Sequence, residues 1–297
     1  IVRKIQNKIR TSNYISKSKH NVAHHYDLSD KLYELFLDPD RQYSCAYFNS
    51  PNDTLEQAQI NKKELISKKL LLEEGQSVLD IGCGWGGMAS HIYKKSNANV
   101  VGVTLSEEQI AYAKQRKIDE KLDKVEYRLQ DYRNVNETYD RIVSVGMFEH
   151  VGTSHYQEFF NKVHDLLNDT GVALIHTIGR LTEPTNNDPW IEKYIFPGGY
   201  IPALSETMSR VEKSGLSLTD VQVLRFHYAE TLKRWRYNFY DNIDKVKELY
   251  DEKFCRMWDF YLSSSQASFE EAGLVVFQLQ LSKNKKTVPD SRNYMLT

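Results

Sequence analysis

The sequence predicts an α/β protein with a Rossmann-like parallel sheet, because apolar strand patterns alternate with helical patterns along most of the chain. Short apolar segments occur near residues 78–81, 100–104, 125–129, 141–145 and 172–178, and helical periodicity separates them. Strands of this kind are typical of parallel sheets that helices cover on both faces. Ligands of such sheets bind beyond the carboxyl ends of the strands, so we expect the functional residues there.

A glycine-rich turn follows the first of these strands. Residues 78–81 run directly into the turn, and a helical pattern follows over 88–95. The glycines allow a ligand to lie against the backbone, where a Cβ atom would collide with it. Asp80 suits the cationic amino-acid group of S-adenosylmethionine (SAM), whereas a nicotinamide dinucleotide needs a helix N-terminus for its pyrophosphate. The turn therefore favours SAM over a dinucleotide, with contacts at Asp80, Gly82 and Gly84.

The composition argues against several classes of function. The 297 residues carry a net charge of −1, so no overall field favours nucleic acid as a partner. No apolar run approaches the length of about 18 residues that a membrane-spanning helix needs. The three cysteines, Cys45, Cys83 and Cys255, form no Cys-x-x-Cys pair. This spacing is typical of reduced thiols in a cytoplasmic protein.

The N-terminal segment 1–20 differs from the rest of the chain in its charge. It carries six Lys or Arg residues and no carboxylate, and Ile1, Ile5 and Ile9 would share one face of a helix. A solvated basic helix packed on the main domain and a contact with anionic lipid headgroups are both open interpretations. We expect residues 1–20 to be a remnant of, or a linker to, an N-terminal domain, and residues 21–297 to form one catalytic domain.

Residues 179–270 interrupt the alternation with an insertion rich in aromatic residues and punctuated by proline. Helical patterns lie within it near 203–214, 229–242 and 248–272, and a last strand pattern follows at 274–282. We expect the insertion to form a helical, aromatic cap over the strand ends rather than further sheet.

Polar residues at the ends of the second and third strands are candidates for holding the nucleoside part of SAM. Thr104 and Leu105 end the second strand, and Gln109 lies one turn into the next helix, where it is a candidate ribose ligand. Asp131 follows the third strand and offers an acceptor for the adenine amino group, and Tyr132 can flank the ring. A helix-surface glutamine and a plain turn aspartate are the alternatives.

Three further residues lie near strand ends without an obvious structural need: Glu149, His176 and Cys45. Glu149 follows a buried strand, where an unpaired carboxylate is costly to desolvate. His176 lies inside an apolar run, so a hydrogen-bonded core histidine is the alternative for it. A metal site is a second alternative, but the three residues lack the close spacing of ligand pairs, and we expect no metal.

Five segments together carry a resemblance to a known family: 43–48 (YSCAYF), 78–87 (VLDIGCGWGG), 101–106 (VGVTLS), 139–151 (YDRIVSVGMFEHV) and 194–199 (YIFPGG). They are similar to motifs of the cyclopropane-fatty-acyl-phospholipid synthases, which are relatives of the mycolic acid cyclopropane synthases. The resemblance extends from about residue 20 to residue 282. The Glu149-His150 pair is its most family-specific part.

The resemblance implies an enzyme that transfers a methylene group from SAM to the cis double bond of an unsaturated phospholipid acyl chain, which forms a cyclopropane ring. It also implies a bound bicarbonate ion as the base that takes a proton from the carbocation. The implied bicarbonate ligands are Cys45, Glu149, His176, Ile178 (through its backbone) and Tyr228. The implied SAM ligands are Tyr43, Ser44, Gly82, Gly84, Thr104, Gln109, Asp131 and Tyr132.

An acyl substrate requires an apolar tunnel, because withdrawing about ten methylenes from a bilayer loses roughly 8 kcal/mol. The candidate wall residues are Phe148, Trp190, Tyr194, Phe196 and Tyr200, with core packing as the alternative for each. The implied partner is a phospholipid bilayer surface, with anionic lipids favoured, and a homodimer is a further expectation. The implied localisation is cytoplasmic and peripheral to the membrane.

The chain departs from the family pattern at Ser265, where many relatives have cysteine, so no catalytic thiol is expected there. The longer bacterial synthases also carry an N-terminal domain that we expect to be largely absent here. Three alternatives remain for the function. One is a related SAM-dependent lipid C-methyltransferase that gives a methyl-branched or hydroxylated product. The others are a lipid- and SAM-binding protein without catalysis and a small-molecule N- or O-methyltransferase.

Overall fold

The computed structural model describes residues 29–295, so the basic segment predicted at 1–20 lies outside the described residues. A mixed seven-stranded sheet forms the centre of the described chain. Its strands are β1 (Ser77–Ile81), β2 (Asn99–Thr104), β3 (Val125–Leu129), β4 (Tyr139–Val145), β5 (Leu167–Arg180), β6 (Ser217–Leu224) and β7 (Leu274–Ser282). Their order across the sheet is β3-β2-β1-β4-β5-β7-β6.

The first five strands are parallel, and β7 runs antiparallel to both of its neighbours, β5 and β6. The predicted α/β sheet is confirmed, but the expectation that residues 179–270 contain no further sheet is wrong. β6 lies within that range and forms an edge of the sheet. Its sequence, SLTDVQVL, is mostly half-buried because β6 has a partner strand on one side only, so it lacks the long apolar run of the central strands.

Helices cover both faces of the sheet. They are α1 (Asp30–Phe36), α2 (Leu55–Lys69), α3 (Gly87–Ser96), α4 (Glu107–Asp119), α5 (Tyr156–Leu166), α6 (Pro189–Tyr194), α7 (Leu204–Val211), α8 (His227–Asp241), α9 (Ile243–Leu249) and α10 (Glu252–Glu271). Alternate residues of β1 face opposite layers: Leu79 packs with the aromatic residues of α5, and Val78 packs with apolar residues of α2, α3 and α4. Thr54 and Ser106 cap α2 and α4 through their side chains, as helix-starting residues of this type usually do.

The cap consists mainly of α8, α9 and α10, which pack on α1 around a cluster of buried rings. Phe36 of α1 lies between Trp235 and Trp258, with ring centroids 6.0 Å and 5.8 Å away. The helix predicted at 248–272 is divided in two, because Asp251 is the N-cap of α10 and accepts a hydrogen bond from the Phe254 N–H at 2.7 Å. Within residues 29–295, no helix has the length and apolar character that crossing a bilayer requires.

The turn after β1 brings the chain very close to the end of β4. Gly82 has a φ of 81°, in the left-handed region, and a Cβ atom at this position would lie 2.7 Å from the Cβ of Met147. The Gly82 and Cys83 N–H groups both donate to the carbonyl of Val103, at 2.9 and 3.0 Å. The turn is therefore fixed on both sides, which shapes the floor of a cavity at the carboxyl ends of the strands.

The close approach at Gly82 predicts a specific cost for alanine. Gly82→Ala should lower the free energy of unfolding by more than Gly75→Ala, because Gly75 has a similar φ of 77° but open space around its Cβ position. We expect roughly 1–2 kcal/mol from the left-handed backbone in both variants, and about 1–3 kcal/mol more from overlap at Gly82. Urea denaturation of the two variants measures the difference, and equal losses would contradict the assignment.

Candidate active site

A first cavity lies at the carboxyl ends of β1, β2 and β3. It is lined by all ten residues that the sequence predicted for the cofactor: Tyr43, Ser44, Asp80, Gly82, Gly84, Thr104, Leu105, Gln109, Asp131 and Tyr132. They come from four separate stretches of sequence, 43–44, 80–84, 104–109 and 131–132, and the last three meet because parallel strands end at one edge of the sheet. Their individual roles stay predictions.

Asp80 is the most buried charged group of this cavity. It is 1% exposed, and its Oδ2 atom has no hydrogen-bond partner among the described residues. Burial raises the pKa of Asp80 to about 7. A carboxylate in this state is stabilised by a cation placed against it, as an amino-acid ammonium group would be.

The ribose and adenine candidates are held by local hydrogen bonds. Thr104 Oγ1 donates to Gln109 Oε1 at 3.1 Å, which leaves the Gln109 amide nitrogen as a donor toward the cavity. Asp131 accepts from Nε and Nη2 of Arg133 at 2.9 and 2.7 Å. This two-point ion pair fixes the carboxylate in one orientation.

A second cavity opens beyond the ends of β4 and β5, under the cap. Its volume is about 480 Å³, within the range of about 300–1,000 Å³ that is usual for pockets of drug-sized ligands. All five predicted catalytic residues line it: Cys45, Glu149, His176, Ile178 and Tyr228. Ser265, where the chain departs from the family pattern, also lines it. Much of the remaining wall is apolar, and includes Trp190, Ile191, Phe196, Leu232, Phe269 and Val276.

The two cavities share a wall. Tyr43, Ser44, Gly146 and His150 line both of them. His150 is buried enough that its pKa falls to about 4, so it is neutral at physiological pH. The four residues that line both cavities therefore place no charged side chain between them.

Among the described residues, Glu149 is the only carboxylate of the second cavity that is buried and has an oxygen without a hydrogen-bond partner. Its Oε1 accepts a hydrogen bond from the Ile178 N–H at 2.6 Å, and its Oε2 has no partner there. Burial raises the pKa of Glu149 to about 7. The Ile178 N–H thus donates to Glu149 in this structure. The sequence analysis expected the Ile178 backbone to contact a bound anion instead.

His176 and Cys45 are held in their neutral forms. Burial, with the positive charges of Lys62 and Lys69, keeps the pKa of His176 well below its usual value. His176 Nε2 lacks a hydrogen-bond partner among residues 29–295. Burial raises the pKa of the Cys45 thiol, which donates to the Ala46 carbonyl at 3.2 Å. Cys45 is therefore a protonated thiol rather than a nucleophile.

The predicted tunnel wall is partly wrong. Trp190, Phe196 and Tyr200 line the second cavity, but Phe148 and Tyr194 do not. Phe148 is fully buried on the other side of its short 3₁₀ turn, where its ring stacks 4.4 Å from Tyr156. Tyr194 ends α6 and is 46% exposed, because α6 turns Trp190 rather than Tyr194 toward the cavity.

Comparison with known proteins agrees with this geometry. The family model described as mycolic acid cyclopropane synthetase matches residues 14–279. The chain belongs to this family. It is 41% identical over 259 residues to the cyclopropane-fatty-acyl-phospholipid synthase of Escherichia coli K12, covering 87% of this chain and 66% of that enzyme. It is 39% identical over 267 residues to a probable fatty acid methyltransferase of Pseudomonas putida, covering 87% of this chain and 68% of that protein.

A solved structure supports the same assignment. The mycolic acid cyclopropane synthase CmaA1, complexed with SAH and CTAB, superposes with a TM-score of 0.84 at 36% identity, covering 89% of this chain and 97% of that chain. The chain is thus a SAM-dependent methyltransferase of the cyclopropane synthase family, whose members act on lipid chains. It spans about two thirds of the length of the E. coli enzyme.

Two residues near the site, His150 and Lys62, were not predicted from the sequence as part of it. His150 belongs to the family-specific pair but was not predicted to line either cavity. Lys62 of α2 is fully buried, and its Nζ donates to Gln42 Oε1 at 2.7 Å and to Ser44 Oγ at 2.8 Å. Burial lowers the pKa of Lys62 to about 7. The sequence did contain one indication that Lys62 is buried. Lys62 lies four residues before the buried Ile66, and residues with this spacing share a helix face.

The raised pKa of Glu149 predicts a pH-dependent stability. The pKa rises from 4.5 in the unfolded chain to about 7 in the folded protein. The folded state therefore binds more protons in this window, and stability is lost as the pH rises through it. The unaltered protein should therefore lose stability between about pH 5 and about pH 8, whereas Glu149→Gln has no carboxyl group to titrate at this position. The free energy of unfolding of Glu149→Gln, measured relative to that of the unaltered protein, should increase by roughly 2–3 kcal/mol over this range.

Urea denaturation at several pH values measures this difference. The exposed Glu56→Gln variant is the control for the removal of one negative charge. If the free energies of unfolding of Glu149→Gln and the unaltered protein differ by the same amount at every pH in this range, Glu149 has an ordinary pKa and the prediction is wrong.

Proposed function

We propose that this protein transfers a methylene group from SAM to the cis double bond of an unsaturated phospholipid acyl chain and forms a cyclopropane ring. The observation that carries the proposal is the shared wall of the two cavities. One cavity holds the residues expected for SAM, and the other places an apolar wall beside the buried side chains of Glu149 and His176. An N- or O-methyltransferase for small soluble substrates would not need an apolar cap over a buried acid and histidine.

The reaction begins with a weak nucleophile. The π electrons of the alkene form a bond to the methyl carbon of SAM, the carbon–sulfur bond breaks, and S-adenosylhomocysteine leaves. The resulting carbocation has no heteroatom to stabilise it, so water must be kept away from it. The aromatic and aliphatic wall of the second cavity provides this exclusion. Loss of a proton from the added methyl group then allows the second carbon–carbon bond to close the ring.

The residues around Glu149 fit a small anion such as bicarbonate. Glu149 Oε2 and His176 Nε2 are buried and open among the described residues, and both side chains line the cavity. With its pKa raised to about 7, Glu149 is available in a protonated form that can donate to an anion. Cys45 and Tyr228 line the same cavity. Bicarbonate held there would supply a base for the proton of the added methyl group.

The substrate comes from a bilayer, so the protein must reach a membrane surface. Burial of the acyl chain against the apolar wall offsets the roughly 0.8 kcal/mol lost for each methylene that leaves the lipid. The excess of Lys and Arg in residues 1–20 favours anionic headgroups, each basic residue near such a surface contributing about 1 kcal/mol. Our proposal therefore includes peripheral binding to the cytoplasmic side of a membrane, with a homodimer as the form that presents two such segments.

The product can be identified directly. After incubation with SAM and vesicles of a cis-unsaturated phospholipid, we expect lipid that has gained one CH₂ group in mass and has lost its olefinic protons in the NMR spectrum. The same mass gain with the alkene retained would contradict ring formation and indicate a C-methyltransferase instead. Vesicles of fully saturated phospholipid are the control, and they should remain unchanged.

The two buried carboxylates predict different defects when each is replaced by its amide. Asp80→Asn should weaken SAM binding by about 10-fold or more, because it removes the counter-charge for the ammonium group. Glu149→Gln should leave SAM binding nearly unchanged and lower turnover by about 100-fold or more, since it disturbs the deprotonation step only.

Isothermal titration with SAM and product analysis by mass spectrometry separate the two effects. Each variant is the control for the other, because both remove one buried carboxylate. A loss of SAM affinity in Glu149→Gln would place Glu149 in the SAM site and contradict its assignment to the second cavity.

A further inference from the structure

A row of polar side chains crosses three strands behind the second cavity. His176 of β5 is paired with Gln278 of β7, and Gln278 is paired with Gln222 of β6. Residues directly opposite each other in neighbouring antiparallel strands point to the same face of the sheet. Gln278 is fully buried and His176 is 2% exposed. Polar side chains at such positions require hydrogen-bond partners.

Lys69, the last residue of α2, supplies one of these partners. Its Nζ donates to Gln278 Oε1 at 2.8 Å and also to Gln222 Oε1. On the other side of the same amide, Gln278 Nε2 lies 3.2 Å from His176 Nδ1. Gln278 thus connects a buried ammonium group to the histidine of the candidate active site.

The direction of these hydrogen bonds follows from the chemistry of the groups. An ammonium group only donates, so the Gln278 atom that faces Lys69 must be the carbonyl oxygen. The opposite orientation would place the amide NH₂ against the ammonium group and leave two donors facing each other. The Gln278 nitrogen, which also only donates, therefore faces His176, and Nδ1 of the ring must accept.

We propose that Lys69 and Gln278 are positioning residues that hold His176 in the tautomer with its proton on Nε2. Because His176 lines the second cavity and Nδ1 is engaged by Gln278, the fixed Nε2–H is the ring donor left for that cavity. The role of this donor in binding an anion rests on the proposed function, whereas the tautomer does not.

The arrangement also explains why His176 stays neutral. A neighbouring carboxylate would stabilise a charged imidazolium, but Gln278 offers its donor side and Lys69 adds a positive charge behind it. Burial and the nearby lysines accordingly lower the pKa of His176. A neutral ring with a fixed N–H can donate a hydrogen bond to a ligand without adding a second charge to the cavity.

The tautomer is measurable in the full-length protein without substrate or turnover. In a two-bond proton–nitrogen correlation spectrum of protein labelled with ¹⁵N-histidine, His176 should show Nδ1 as an unprotonated nitrogen and Nε2 as a protonated one. Its signals are identified by their loss in His176→Asn. A protonated Nδ1 in the unaltered protein would overturn the proposal, and this result would be independent of whether the protein makes cyclopropane lipids.

Gln278→Glu tests the causal role of the amide. A carboxylate at this position only accepts, so Nδ1 of His176 should become protonated; an Nδ1 that remains unprotonated would overturn the proposal. Gln278→Met removes the donor and should lower kcat by about 10- to 100-fold, the range usual for residues that orient a site ligand, with KM for SAM unchanged.

Gln280→Met is the matched control for Gln278→Met. Gln280 is equally buried on the same strand and hydrogen-bonds to Thr219, Tyr294 and the backbone carbonyl of Lys69, but its side chain has no hydrogen bond to the Lys69 ammonium group or to His176. Its variant should retain the His176 spectrum and a kcat close to that of the unaltered protein. Equal changes in both variants would show a general structural role and overturn the assignment of Gln278 as a positioning residue.

Discussion

The burial of ionisable side chains at the carboxyl ends of β1, β4 and β5 is the constraint on which the rest of the site depends. Asp80, Glu149 and His176 are each less than a tenth exposed. Burial raises the pKa of the two acids and lowers that of the histidine, so all three move toward their neutral forms. These three side chains therefore contribute little charge to the site. In the proposed function, the sulfonium and ammonium groups of SAM and an anion in the second cavity would supply the charges beside them.

This distribution suits a carbocation reaction, because the same walls that exclude water also make unpaired charges costly. For Glu149 and His176, the structure provides one hydrogen-bond partner each. The Ile178 amide holds Glu149, and Gln278 holds His176. The open atoms, Glu149 Oε2 and His176 Nε2, are the ones left for a ligand within the described part of the chain.

The sequence was sufficient for the features that depend on local patterns. The first five strands, the glycine turn and the strand-end residues are set by nearest neighbours along the chain, and all ten cofactor candidates line one cavity. The directions of Phe148 and Tyr194 were not predictable, because a single 3₁₀ turn or the last turn of a short helix decides which way a ring points. β6 was missed because an edge strand with Asp220 and Gln222 has no apolar run, and its pairing with β7 is a long-range contact.

The polar face of α2 was the part of the structure that the sequence predicted least well. It contacts segments that line both the first and the second cavity. Gln59 donates to the carbonyls of Gln42 and Ser44 at 3.1 and 3.0 Å, so α2 fixes the segment that forms the wall between the cavities. Three turns further along, Lys69 fixes the amide that orients His176. Residues 59, 62, 66 and 69 share one buried helix face, with three polar side chains where apolar ones are usual. Their burial is understandable only once their partners are known, because each polar group is stabilised by a hydrogen bond to a distant segment of the chain rather than by its own helix.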